Sequence, residues 1–226
     1  MSIESARRSF PIDVVSDVVC PWCYVGKRRL AAALARVTGG HRDIDFAVSW
    51  HPFQLNPELP VAGADRKRYL EAKFGGPQQA AEIYERVRVA GAAVGIAFDF
   101  DAIQRQPNTL DAHRLIAWAQ QHGAADTLVE KLFRAYFLEG RYIGDRTVLA
   151  AIAGDAGFDA GAARAMLESN EGIDEVQGMD RRVRELGVSG VPFFIFDSRL
   201  AVSGAQEADA LAGVIEEAVA TPVGEA

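Results

Sequence analysis

The hydrophobic positions change period several times along this chain, and each change marks an element. Phe10–Val19 (FPIDVVSDVV) is rich in β-branched residues, the pattern of a buried strand. The next segment, CPWCYVGKRRLAAALARV, is helical, with Leu30, Leu34 and Val37 at i, i+4 and i+7. Cys20 takes its N-cap and Pro21 its first position, where a missing N–H costs nothing. Gly39-Gly40 ends this helix. Asp43–Trp50 alternates Ile44, Phe46, Val48 and Trp50 and reads as a second strand. Strand, helix and strand make a βαβ unit with a right-handed crossover.

A proline-rich loop, HPFQLNPELPVAGA, follows, and from about Asp65 to Leu186 nearly everything reads as helix. Asn108 or Thr109 caps a helix through Trp118. Leu128, Leu132 and Tyr136 form an apolar stripe widened by Phe133 and Phe137, Asp145 caps another helix, and Ile173, Val176, Val183 and Leu186 mark the last. Such stripes are core packing before they are a cofactor box. β character returns at Val191–Phe196, with a turn at Asp197–Arg199 and a hairpin partner at Leu200–Ser203. A final amphipathic helix carries Leu211, Val214 and Ile215, and the tail TPVGEA is expected to fray. The order βαβ, helical block, ββα predicts an α/β fold. A parallel sheet begun in the first third is completed by the last, and the helical block is an insertion whose ends lie at neighbouring strands.

Composition narrows the function classes. A chain of 226 residues, 49% hydrophobic, forms a normal core without staples. A net charge of −7 argues against a general nucleic-acid binder. No stretch approaches the roughly 20 apolar residues that span a bilayer. The N-terminal MSIESARRSFPIDVV starts at Met and shows no apolar run followed by a cleavage site, so no signal peptide is expected. The expected location is the cytoplasm, where thiols are kept reduced.

That setting sharpens the meaning of Cys20 and Cys23, the only cysteines in the chain. A CxxC pair there points to catalysis or metal binding before a structural bridge. A helix N-terminus offers unpaired N–H groups and the positive end of the dipole, which favour a thiolate at Cys20. Cys23, one turn in and deeper, can close a disulfide with it. Cys20 then exchanges with the partner and Cys23 resolves the mixed disulfide. Trp22 between them is neutral, so the potential is expected below that of the strongest oxidants, near about −120 mV. A zinc site is the second reading, but it needs about two more ligands, and His41, His51, His113 and His122 show no ligand-like spacing. No metal is expected. An inert pair is the third, although so short a ring stabilises little.

With DVVCPWCYVGKRRL, WHPFQLNP, PNTLDAHRL, GVSGVPFFIF and SGAQ in this order, nearly the whole chain resembles the DsbA-like branch of the thioredoxin superfamily. Within it the match is to the FrnE-type group, relatives of 2-hydroxychromene-2-carboxylate isomerases and kappa-class glutathione transferases. The resemblance implies a thioredoxin-like fold, residues 1–62 with 187–226, and an inserted helical domain, 63–186. It implies a cis peptide before Pro192 beside the dithiol, with Val191 offering its backbone N–H and C=O to a bound partner. It also implies a thiol–disulfide oxidoreductase acting on protein or small-molecule disulfides. The alternative is a glutathione-dependent isomerase or transferase, which needs no resolving thiol. No cofactor is expected to be tightly bound; glutathione is a candidate co-substrate. The chain is expected as monomer or homodimer.

Other residues carry two readings each. Asp17 is a buried proton acceptor for Cys23 or a turn residue. His51, with Phe53, follows a strand end that borders ligand crevices, or merely caps a loop. Asn108 and Thr109 approach the thiol site or cap their helix. His113 contacts substrate or packs in the core. Trp22 is exposed beside Cys20 or folded back, and Lys27-Arg28-Arg29 attracts acidic partners or is a solvated helix face.

Overall fold

The protein is described by a computed structural model over residues 7–123 and 125–221. The tail from 222 and the first six residues, on which part of the signal-peptide reading rests, lie outside the described residues. The βαβ unit is β1 (Arg8–Ser16), α1 (Pro21–Val37) and β2 (Ile44–Pro52). β1 and β2 run parallel from Arg8↔Ile44 to Ser16↔Pro52. β1 stops earlier than its apolar run suggests, because Asp17–Val19 turns toward the helix.

The last third supplies β5 (Phe193–Phe196), β6 (Leu200–Ser203) and α9 (Ala208–Ala220). The sheet order is β2-β1-β5-β6. β5 pairs antiparallel with β1, with Val15 opposite Phe193, so the sheet is mixed rather than parallel. The insertion therefore leaves from β2 and returns at β5, which flank β1 on opposite sides and are not neighbours. The chain re-enters beside the C-terminal end of β1 and must run back along it. An apolar run such as VPFFIF reads the same in either direction, so period alone could not show this.

Between them lie β3 (Ala64–Asp65), α2 (Arg66–Phe74), α3 (Pro77–Ala93), β4 (Arg105–Gln106), α4 (Leu110–His122), α5 (Asp126–Phe137), α6 (Arg146–Asp155), α7 (Ala160–Glu168) and α8 (Ile173–Glu185). The block is helical apart from the β3–β4 ribbon, whose strands are too short to show a period. Leu186, expected in the last helix stripe, is exposed just beyond α8.

One continuous core joins the sheet to the insertion, from Phe10, Ile12 and Val14 through Tyr24 and Leu30 to Leu115, Phe133 and Phe137. Tyr24 stacks on Phe133 with ring centres 5.0 Å apart. The basic triplet of α1 is not a solvated face. Lys27 is buried and meets Asp126 at 2.8 Å and Glu130 at 3.5 Å, and Arg28 reaches Glu130 at 2.5 Å. Arg29 pairs with Glu207 at 2.5 Å. These ion pairs fasten α1 to α5 and to the turn before α9. On its other side the insertion packs α4 and α8 against β2.

Arg114 is 1% exposed and ties α4 to the end of α7. Its guanidinium donates to the carbonyls of Met166 (2.9 Å), Ser169 (2.8 Å) and Glu171 (2.7 Å), and to Asp111 Oδ1 at 2.5 Å.

Candidate active site

The turn after β1 delivers Cys20 to the N-terminus of α1. Cys20 N–H donates to Asp17 O at 3.0 Å, and Cys20 O accepts from Cys23 N–H at 3.0 Å. Cys20 is an extended N-cap residue, with Pro21 following. Both thiols are unpaired. Cys20 is 6% exposed and Cys23 1%. Cys20 nevertheless lines a groove of about 260 Å³ with Pro21, Trp22 and, from the insertion, Tyr69, Lys73 and Tyr84. Cys23 does not line it. Trp22 is exposed beside Cys20. A larger cleft of about 740 Å³ between α2 and α3 holds neither thiol.

Val191 and Pro192 stand across from the dithiol, and the peptide between them is cis. The Cys20 thiol points at Val191 O, 3.7 Å away. Val191 N–H finds no hydrogen-bond partner among the described residues. Pro192 O accepts from Gly204 N–H at 2.8 Å, which anchors the strand start to β6. Sequence reasoning missed Gly26, which lets α1 approach this strand. A Cβ there would lie 2.9 Å from Pro192 Cγ and 3.1 Å from Phe194 Cζ. A glycine inside a helix costs up to about 1 kcal/mol, so its presence was the available signal. Gly26→Ala is expected to lose about 1 kcal/mol net, as overpacking of about 1–3 kcal/mol outweighs the propensity gain. Exchange at Cys20 should also slow. Gly213→Ala on α9, where nothing lies within 4 Å, should gain stability instead; thermal melts of both variants check this.

Burial pushes the Cys23 thiol well above the ordinary thiol range, and the adjoining Cys20 adds to the effect. The Ser16 hydroxyl and Asp17 N–H beside it work the other way. Unfolded Cys23 titrates near about 8.5 while native Cys23 stays protonated, so stability is full below that pH and falls as pH rises above it. The slope is about 1.4 kcal/mol per pH unit. The reduced protein should lose stability relative to Cys23→Ala between about pH 8.5 and 10, before tyrosines titrate. Denaturant melts at fixed pH measure the difference.

Asp17 is fully buried. Its Oδ2 accepts from Leu55 N–H at 2.8 Å, and its Oδ1 lies 3.3 Å from His113 Nε2. That pair is in ion-pair range, but the ring is out of line for a hydrogen bond. His51, Phe53, Asn108, Thr109 and His113 do not line the groove at Cys20. His51 turns to Asp13 on β1, at 2.7 Å. Phe53 is buried under Arg184, whose guanidinium sits 3.9 Å from its ring centre. Asn108 holds Leu59 O (2.7 Å) and caps α4 by accepting from Leu110 N–H (2.9 Å), and Thr109 is the buried N-cap residue. The insertion reaches the groove through α2, α3 and Gln106 instead. Arg66 anchors that wall, donating to Gln106 Oε1 and Tyr136 OH at 2.7 Å and to Tyr84 OH at 3.0 Å. No group of three or more metal-ligating side chains is found among the described residues, and no helix there is long and apolar enough to cross a membrane.

Comparison with known proteins adds a family. The DSBA-like thioredoxin domain matches residues 11–216. A structure described as a probable DsbA oxidoreductase, SCO1869 from Streptomyces coelicolor, is 33% identical, with a TM-score of 0.85 over 96% of this chain and 94% of that one. The uncharacterized protein YwbO of Bacillus subtilis (strain 168) is 26% identical over 189 residues, covering 81% of this chain and 85% of that protein. The cytosolic disulfide reductase DsbM from Pseudomonas aeruginosa, solved with GSH, shares the fold at 20% identity and a TM-score of 0.62, over 93% of this chain and 100% of that one.

Proposed function

This chain belongs to the DsbA-like thioredoxin family, and on that premise we propose that it is a thiol–disulfide oxidoreductase working through Cys20 and Cys23. One observation carries the reading: a sulfur at a helix N-terminus opens on a groove, with a second sulfur behind it and out of that groove. In the reductive direction the Cys20 thiolate attacks one sulfur of a substrate disulfide. The Cys20–substrate bond forms, the substrate S–S bond breaks, and the other substrate sulfur leaves as a thiolate. Cys23 then loses its proton and attacks Cys20 Sγ, expelling the second substrate thiolate and closing the Cys20–Cys23 ring. Two electrons pass to the substrate; oxidation of a dithiol is the reverse.

Val191 supports this by presenting its unpartnered N–H and its C=O to an extended substrate segment, a short form of strand addition. Asp17, buried beside the pair, is the acidic group that supports loss of the Cys23 proton, and Trp22 is the exposed contact for the partner. Substrates are disulfides or thiols of proteins or peptides, with glutathione as a co-substrate, in a cytoplasmic setting. A glutathione-dependent isomerase has no use for Cys23, which is why the oxidoreductase is preferred. The test is reduction of insulin, or refolding of a scrambled disulfide protein, beside glutathione binding. Catalysis by the wild type is expected. Absence of catalysis together with glutathione binding that survives Cys23→Ser contradicts the proposal.

A further inference from the structure

Cys23 must lose a proton before it can resolve a mixed disulfide, yet it is sealed from solvent. The Ser16 hydroxyl lies beside the Cys23 thiol, and from there inward four buried side-chain atoms find no fixed hydrogen-bond partner among the described residues: Ser16 Oγ, Asp17 Oδ1, Trp50 Nε1 and His113 Nε2. Ser16, Trp50 and His113 line one chamber of about 20 Å³, closed at another wall by His51. A water needs roughly 10–15 Å³ and a few polar partners, and this chamber offers both. Unsatisfied polar groups are rare in folded proteins, so finding several around one chamber is informative.

We propose that His113, delivered by the helical insertion, receives the Cys23 proton through water held in this chamber, with Asp17 steadying the imidazolium that results. The proposal rests on the oxidoreductase reading. The proton leaves Cys23 Sγ, passes by the Ser16 hydroxyl and the water, and arrives on His113 Nε2, 3.3 Å from Asp17 Oδ1. The Cys23 thiolate so formed attacks Cys20 Sγ, the Cys20–substrate bond breaks, and the departing substrate sulfur takes its proton from solvent. His51, paired with Asp13 and partly exposed, gives the chamber a way to return the proton outside.

The charged groups on the surrounding elements are already engaged. Lys27, 6.0 Å over the Trp50 ring, is held by Asp126 and Glu130 of α5. On α8, Asp180 is paired with Arg184. On α4 and α6, Asp111 takes both Arg114 and Arg146, and on α7 Arg164 takes Glu168. Asp17 and His113 are left to each other. Their misalignment fits a pair that completes its hydrogen bond only when the ring carries the proton. His113 is thus a positioning residue for protons, and the insertion is part of the redox machinery as well as the wall of the groove.

Stopped-flow reaction with an aromatic disulfide, 5,5′-dithiobis(2-nitrobenzoate), separates the steps. A first chromophore is released when Cys20 is captured, and a second when Cys23 resolves the adduct. In the wild type the second phase should change little between about pH 7 and 9, because the acceptor is built in. A thiol without one gains about tenfold per pH unit below its pKa. His113→Gln and Asp17→Asn should leave the first phase alone, slow the second about 100-fold, and restore that steep dependence. A steep wild-type profile overturns the relay even if neither variant folds. So does an unchanged second phase in folded variants. Failure of the first phase in the wild type overturns the oxidoreductase reading itself, and the relay with it.

Discussion

Cys20→Ser is expected to abolish disulfide exchange, with a loss of about 1,000-fold or more, while Cys23→Ser keeps the first half of the reaction and stalls there. The asymmetry follows from position. Cys20 lines the groove and faces Val191 O, whereas Cys23 is 1% exposed and lies behind it. A serine at 20 fills the N-cap equally well, since Ser is a favoured cap, so the variant should fold and melt like the wild type. Its oxygen cannot form the sulfur–sulfur bond on which exchange depends. A serine at 23 leaves the attacking sulfur in place, so the mixed disulfide accumulates and can be weighed by mass spectrometry. Equal losses of first-step capture in the two variants would contradict this division of roles.

Arg114→Ala carries the largest expected cost to stability, about 3–5 kcal/mol. The guanidinium satisfies the carbonyls of Met166, Ser169 and Glu171. Met166 O also accepts from Ser169 N–H and the Ser169 hydroxyl, but the Ser169 and Glu171 carbonyls, in the turn between α7 and α8, have no other donor among the described residues, and they are the acceptors at stake. Truncation strands these acceptors, leaves Asp111 with Arg146 alone, and opens a cavity. For a chain of this size the melting temperature should drop by roughly 10 °C. Arg114→Lys should recover little, because an ammonium cannot reproduce the planar fork that reaches several carbonyls at once. A lysine variant that melts like the wild type would show that charge alone matters here.

The chemistry was easier to read in the sequence than the frame around it. Spacing alone places Cys20 at a helix N-terminus with Cys23 one turn deeper, because a proline at the first position and the leucine period fix the start of α1. The βαβ…ββα order was legible for the same reason. The direction of β5 was not, since an apolar run has no polarity of its own. Lys27 and Arg28 read as a solvated helix face, and Arg114 drew no reading at all, because their partners, such as Asp126, Glu130 and Glu171, lie far along the chain. The rule that strand ends border crevices singled out His51, which lines the chamber beside His113 rather than the groove at Cys20, with its ring held by Asp13 on β1. The groove wall built from α2 and Gln106 left no trace, because α2 buries little beyond Arg66 and carries almost no amphipathic pattern.

Equilibration of the protein with glutathione buffers of graded potential, followed by alkylation and mass analysis of the Cys20–Cys23 peptide, is the most direct test. The expected result is a single two-electron transition between dithiol and ring, at a potential below about −120 mV. Thiols that stay alkylatable at every buffer ratio, with no ring ever formed, would contradict it.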